Sequence, residues 1–338
     1  MLDCPLLKLE NHCPECVSMD LKMIPLDSQQ FELRLNVSLA QPEISILTGK
    51  MRLGLRALTL GLDLQDVSLV AVKDLDSSFI KRVNNPLSRL PHWEIRHLPN
   101  QKFLQDDLTD VALGVVKITN AEDFRLGVTL TCKPAHVYLS DIEGLWRHDI
   151  TPNKHGILER KLAKFIYQTR LNPFVSEVIF ATTDREVNHN SDTLTSALHQ
   201  NLKDTLQLIY QANQDNFVEL ANIAELNLLT DFAGADLTGA NLSGLKLSSA
   251  NLKYANLRGA DLTDTDLSEA NLSYSRLNGA DLTGAYLEGA NLRYCNLQSA
   301  SLALANVMGA DLSYANLINT NLTNTSLSQA TVEGAVFN

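Results

Sequence analysis

The stretch His12-Cys13-Pro14-Glu15-Cys16 holds the groups in this chain best placed to do chemistry. Two cysteines spaced C-x-x-C can cycle between dithiol and disulfide, or supply half of a tetrahedral zinc site. A second half is available at Cys132 and His136, at ligand spacing in Cys-Lys-Pro-Ala-His. Together Cys13, Cys16, Cys132 and His136 would make a Cys3His clamp between two strands. The plainer reading leaves Cys13 and Cys16 as reduced thiols in a turn. Cys132 is then an inward residue of its strand, since free cysteine packs as a small hydrophobe. No strand–helix pattern of thioredoxin type surrounds the pair.

The histidines, at 12, 92, 97, 136, 148, 155, 189 and 199, sit at no spacing that adds a nucleophile or a carboxylate pair. His92-Trp93-Glu94 and Trp146-Arg147-His148 could line a pocket, or equally a strand edge. There is no glycine motif for cradling phosphate. The expectation is a non-enzymatic protein without cofactor; the alternative is a zinc- or redox-dependent N-terminal domain.

Bulk properties narrow the classes further. The 338 residues carry 28 basic and 39 acidic side chains, net −11, with no basic stripe, which argues against direct nucleic-acid binding. No apolar run reaches membrane-spanning length, and no basic flank with a hydrophobic core opens the chain. Five unevenly spread cysteines fit a reducing compartment, so a soluble, cytoplasmic protein is expected.

The elements that would position these groups differ sharply along the chain. Residues 1–185 alternate as strands do. Phe31, Leu33, Leu35, Val37 and Leu39 interleave with polar residues, as do Val17, Met19, Leu21 and Met23, and Leu126, Val128, Leu130 and Cys132. The leucine-dense run 51–72 changes phase near Leu58, which predicts a bulge or turn there. Further strands are expected at 110–118, 163–169 and 174–183, the last two joined by a hairpin-like Arg-Leu-Asn-Pro turn; 154–166 could instead be helical. The pattern predicts an antiparallel β-sandwich-like domain. A polar boundary at 186–193 precedes Leu194, Leu198, Leu202, Leu206 and Ile209, which repeat at helical spacing. A second short helix with Phe217, Leu220, Ala221 and Ala224 on one face completes a helical connector over 186–229. Its expected role is to cap the segment that begins at Thr230.

From Thr230 onward the chain repeats every five residues for 22 units, with no insertion. The central residue is Leu except at Phe232, Val307, Val332 and Phe337. Two places earlier stands Ala in 15 units, and one place earlier Asp or Asn in 15. Five fits neither the 3.6 period of a helix nor the 2.0 of a strand. It fits a chain that turns a corner every unit and closes a coil in four. One large and one small apolar side chain then fill a narrow shaft, and Asx side chains bond backbone amides at the corners. The last place of the unit, read every 20 residues, gives Tyr254, Tyr274, Tyr294 and Tyr314, a column about 4.8 Å per rung.

Residues 230–338 resemble the pentapeptide-repeat family. That resemblance implies a right-handed quadrilateral β-helix, here of about five and a half coils. The family is abundant in cyanobacteria, implying a similar origin, and most members have no assigned activity. Some mimic duplex DNA and bind topoisomerase. The expectation is therefore a protein-binding or scaffold protein with a rigid rod, the alternative a DNA-mimic regulator of a topoisomerase. The net −6 of residues 225–338, diluted by Lys246, Lys253, Arg258, Arg276 and Arg293, weighs against the mimic. Candidate partner-facing residues are Tyr254, Tyr274, Tyr294 and Tyr314 with Lys253 and Arg293. Phe337, at the uncapped end of the coil, is the candidate for homo-oligomerisation.

Overall fold

Alternation of apolar and polar residues builds the first part of the chain in the computed structural model. The described residues are 6–73, 80–83, 90–96, 101, 103–146, 149–182, 192–213 and 215–337, without the side chains of 6–8 and 192–195. His97, Arg147, His148, His189, the Leu194 side chain and most of the boundary at 186–193 lie outside them. Contacts divide the chain into two units: Met1–Glu143 with Ile166–Ser196, and Gly144–Phe165 with Ala197–Asn338.

The first unit consists of antiparallel strands. In chain order these are β1 (Leu6–Asn11), β2 (Val17–Pro25), β3 (Gln30–Leu39), β4 (Glu43–Ile46), β5 (Gly49–Leu55), β6 (Ala57–Gln65) and β7 (Val67–Val72). There follow β8 (Ile80–Val83), β9 (His92–Arg96), β10 (Leu108–Ile118), β11 (Arg125–Thr131), β12 (Val137–Glu143) and, after an excursion into the second unit, β13 (Ser176–Ala181). They form sheets ordered β1-β13-β11-β6-β9-β8, β2-β3-β10-β7 and β12-β5-β4. In β3 every second residue, Phe31 through Val37, is buried, so its period of two puts one face in the core. Leu33, Leu35, Leu58, Leu60, Trp93 and Val128 lie in that core.

The run 51–72 breaks twice rather than once. Arg56 separates β5 from β6, and Asp66, at φ 52°, separates β6 from β7. The strand expected at 163–169 is absent. These residues complete helix α1 (Pro152–Ile166) and one π turn over Tyr167–Leu171, as the helical alternative for 154–166 required. Nor does the segment form a hairpin with 174–183, because β13 pairs with β1 and β11.

The second unit is the coil with its helices. Isolated parallel bridges join residues 20 apart, from Asp236–Asn256 to Asn316–Val336. Units 20 residues apart therefore stack into four walls. The first holds Leu252 and Leu272, the second Leu257 and Leu277, the third Leu262 and Leu282, the fourth Leu267 and Leu287. A ladder binds each rung to the next: Leu237 N donates to Asn256 O (2.8 Å), and Asn256 N to Ala235 O (2.9 Å). Corners are closed by turns such as Ala240 N to Leu237 O (3.1 Å). Asx side chains accept the amide two places on, as at Ser273 N to Asn271 Oδ1 (3.1 Å) and Thr263 N to Asp261 Oδ1 (3.0 Å). Central leucines and the alanines before them are sealed inside as far as Leu317, whereas Leu322, Leu327 and Val332 are only partly buried.

An open coil end presents unpaired backbone amides and apolar side chains. At the first rung α1 satisfies both. Asn153 Oδ1 accepts from Asn241 N (2.8 Å) and Glu159 Oε2 from Asp236 N (3.4 Å), where the regular ladder would place a carbonyl of a preceding rung. The buried Arg160 donates to Ala233 O (3.2 Å). Lys164 pairs with Asp231 (2.8 Å). Ile157 and Leu158 join the core of the coil. Gly156 allows the close approach, since a Cβ there would stand 2.8 Å from Leu237 Cδ2 and 2.9 Å from Asp236 O. Helix α2 (Asp192–Gln211) adds Ile209 to the same core. Helix α3 (Phe217–Ile223) is capped by Asn216 and adds Phe217, whose ring lies 5.2 Å from that of Phe232. The capping segment thus begins at α1, well before the connector read from sequence.

Candidate functional site: the tyrosine edge of the coil

The edge between the first and second walls is set by four turns. In each, the third residue is a tyrosine held in the left-handed region: Tyr254 (φ 64°), Tyr274 (62°), Tyr294 (57°) and Tyr314 (60°). A glycine would sit there without steric cost, whereas an L side chain costs roughly 1–2 kcal/mol. Stacking offsets this. Successive ring centroids lie 5.3, 4.9 and 4.9 Å apart, and the last pair is within 6° of parallel. Each such contact contributes about 0.5–1.5 kcal/mol. The stacking covers the ring faces but not the edges, so Tyr294 and Tyr314 are 42% and 44% exposed.

Cations line the column. Lys253 Nζ lies 4.9 Å from the Tyr254 ring centre and 5.7 Å from that of Tyr274. The Arg293 guanidinium lies 5.7 Å from both Tyr294 and Tyr314. Arg293 also donates to Asp311 Oδ2 (2.9 Å). Partial burial would raise the pKa of Asp311, but the Ser313 hydroxyl, Arg293 and the Ser313 amide together hold it below the ordinary value. On the other side of the column Arg276 and Arg258 are exposed on the second wall. Sequence reading missed this second flank because it lies on the neighbouring wall. The 20-residue period contains the signal. Phe337 is exposed on the second wall, well along the coil from Tyr254.

The Cys3His clamp does not form. Cys13 and Cys16 are joined in a disulfide at the turn between β1 and β2, which also overturns their reading as reduced thiols. Cys132 is buried and its thiol is pushed up to about 12 by that burial. The backbone N–H of Lys133 donates to His136 Nδ1 (3.3 Å). Among the described residues no group of three His, Cys, Asp or Glu could hold a metal ion. His92 and Trp93 lie on β9, and Trp146 packs edge-on to His155 in the second unit. Among the described residues no helix is long and apolar enough to cross a membrane.

The family profile described as pentapeptide repeats matches residues 230–264, 265–302 and 300–338. No curated protein matches the chain. Among solved structures, the pentapeptide repeat protein Rfr23 of the cyanobacterium Cyanothece 51142 is 36% identical over 28% of this chain and 60% of its own (TM-score 0.16). A pentapeptide repeat protein of the Arabidopsis thaliana thylakoid lumen is 28% identical over 30% of this chain and 59% of its own (TM-score 0.12). One from Nostoc PCC 7120 is 35% identical over 29% of this chain and 84% of its own (TM-score 0.16). The chain thus spans about 60% of the length of the first two relatives. With the profile matched throughout and bridges joining residues 20 apart, residues 230–338 are a run of pentapeptide repeats.

Proposed function

We propose that the protein is a non-enzymatic binding protein whose repeat coil presents the tyrosine edge to a protein partner. One observation carries the reading: at one edge four successive rungs hold a stacked tyrosine where glycine would be the least strained residue, and cations flank the column. Aromatic side chains beside arginine are enriched at the centres of protein interfaces. Capture with the full chain, compared with a variant carrying Tyr→Gly at 254, 274, 294 and 314, tests it. Partners should be lost from the variant, and an identical set from both would make the column purely structural.

A second reading, regulation of a topoisomerase by charge mimicry, is favoured by the acidic residues Asp261, Asp264, Asp281 and Glu288 on the third and fourth walls. It predicts inhibition of gyrase supercoiling at micromolar protein. No effect there would remove it.

A further inference from the structure

Over residues 250–294 charge is segregated around the coil, with Lys246 and Asp311 beyond either end of that stretch. The tyrosine edge, between the first and second walls, carries Lys253, Arg258, Arg276 and Arg293. The diagonally opposite edge, between the third and fourth walls, carries Asp261, Asp264, Asp266, Glu269, Asp281 and Glu288. Within the acidic edge Asp261 and Asp281 occupy one column on adjacent rungs, so like charges repel along the axis. Among the described residues Arg258, Arg276, Asp281 and Glu288 are exposed and make no ion pair. The acidic edge also exposes apolar groups at Leu304 (62%), Tyr286 (54%) and Met308 (42%).

We propose that copies of this chain associate side by side, the tyrosine–cation edge of one coil lying against the acid–apolar edge of the next. The inference rests on the tyrosine edge being a contact surface and names a second copy as its occupant. Opposite charge is one argument. The other is spacing: both edges belong to the same ladder, with rungs about 4.8 Å apart, so cations and carboxylates of two parallel coils stay in step. Exposed rings on one edge meet exposed Leu304, Tyr286 and Met308 on the other. Such a contact is heterologous: each copy keeps one edge free, so association extends as a row. The charged stretch covers three rungs, roughly 10–15 Å, which puts the contact among weak interfaces and makes it sensitive to salt.

Sedimentation velocity on the purified full chain provides the test. At about 50 mM salt, mass should rise with concentration toward the hundred-micromolar range, and at about 0.5 M salt the association should weaken at least ~10-fold. Arg258→Glu/Arg276→Glu and Asp281→Arg/Glu288→Arg should each stay monomeric alone. Mixed, they should associate, because each then offers the other an edge of opposite sign. That restoration also excludes misfolding as the cause of the single-variant losses. A wild-type chain monomeric at low salt, association that survives either reversal, or a mixture that stays monomeric would overturn the proposal. A monomeric wild type would leave the capture experiment, and the binding of a different protein, unaffected.

Discussion

The strand sheets of the first unit and the coil of the second bury similar leucines and valines by opposite routes. In the sheets, partners are distant and irregular in sequence: β1 pairs with β13 and β3 with β10. In the coil every partner lies 20 residues away, and each rung rests only on its neighbours. The sheets therefore depend on many unlike contacts forming together. The coil depends on one contact repeated and on a floor to start it. A single defect should spread through a sheet core but stay confined to a few rungs of the coil.

The strongest way to break this contrast is a charge in the shaft. Leu287→Arg, at a fully buried position, should cost several kcal/mol and open the rungs around it to protease. Resistance equal to the wild type would refute the inward register. The floor comes next. Asn153→Ala strands the Asn241 amide and the Asp215 carbonyl, at about 1–3 kcal/mol for each unsatisfied group. Hydrogen exchange should quicken first at Asn241 and adjacent amides, and uniform exchange along the coil would contradict a role at its end. Gly156→Val should cost about 1–3 kcal/mol by forcing α1 off the first rung. Smaller still is the tyrosine column. Tyr274→Ala should lower thermal stability by about 1–2 kcal/mol, and Tyr274→Gly by less, because glycine relieves the left-handed backbone. Equal losses would show that the strain is negligible.

Acid should weaken the coil gradually. Burial alone would raise the pKa of Asp231, but Lys164, the Asn227 amide and the Thr230 hydroxyl hold it below its ordinary 3.8. A depressed folded pKa gives stability that is present above 3.8 and lost as pH falls through the lower folded value. Asp231→Asn should therefore flatten the stability profile below that pH. An unchanged profile would remove the Lys164 pair from the account.

Much of this was legible from sequence because the signals were local. Phe31 to Val37 alternate over a few residues, the five-residue period is strict, and the Asx residues bond amides two places on. The four tyrosines follow from the period alone. What escaped was long-range. Asn153, Glu159 and Arg160 belong to a helix whose partners lie at 233–241, and no nearby residue marks them as caps. The break at Arg56 sits inside a leucine-dense run, so pattern alone placed the turn two residues late. The Cys13–Cys16 bond was weighed only as one option, since C-x-x-C spacing serves thiols, disulfides and metal alike.

Helix α1 precedes in the chain every rung that it underlies. A ribosome releases residues from the N-terminus at roughly 5–20 per second, so this floor emerges seconds ahead of the first repeat. Each new turn of chain can then be laid on a finished surface as it leaves the tunnel, one storey at a time, without waiting for any later residue.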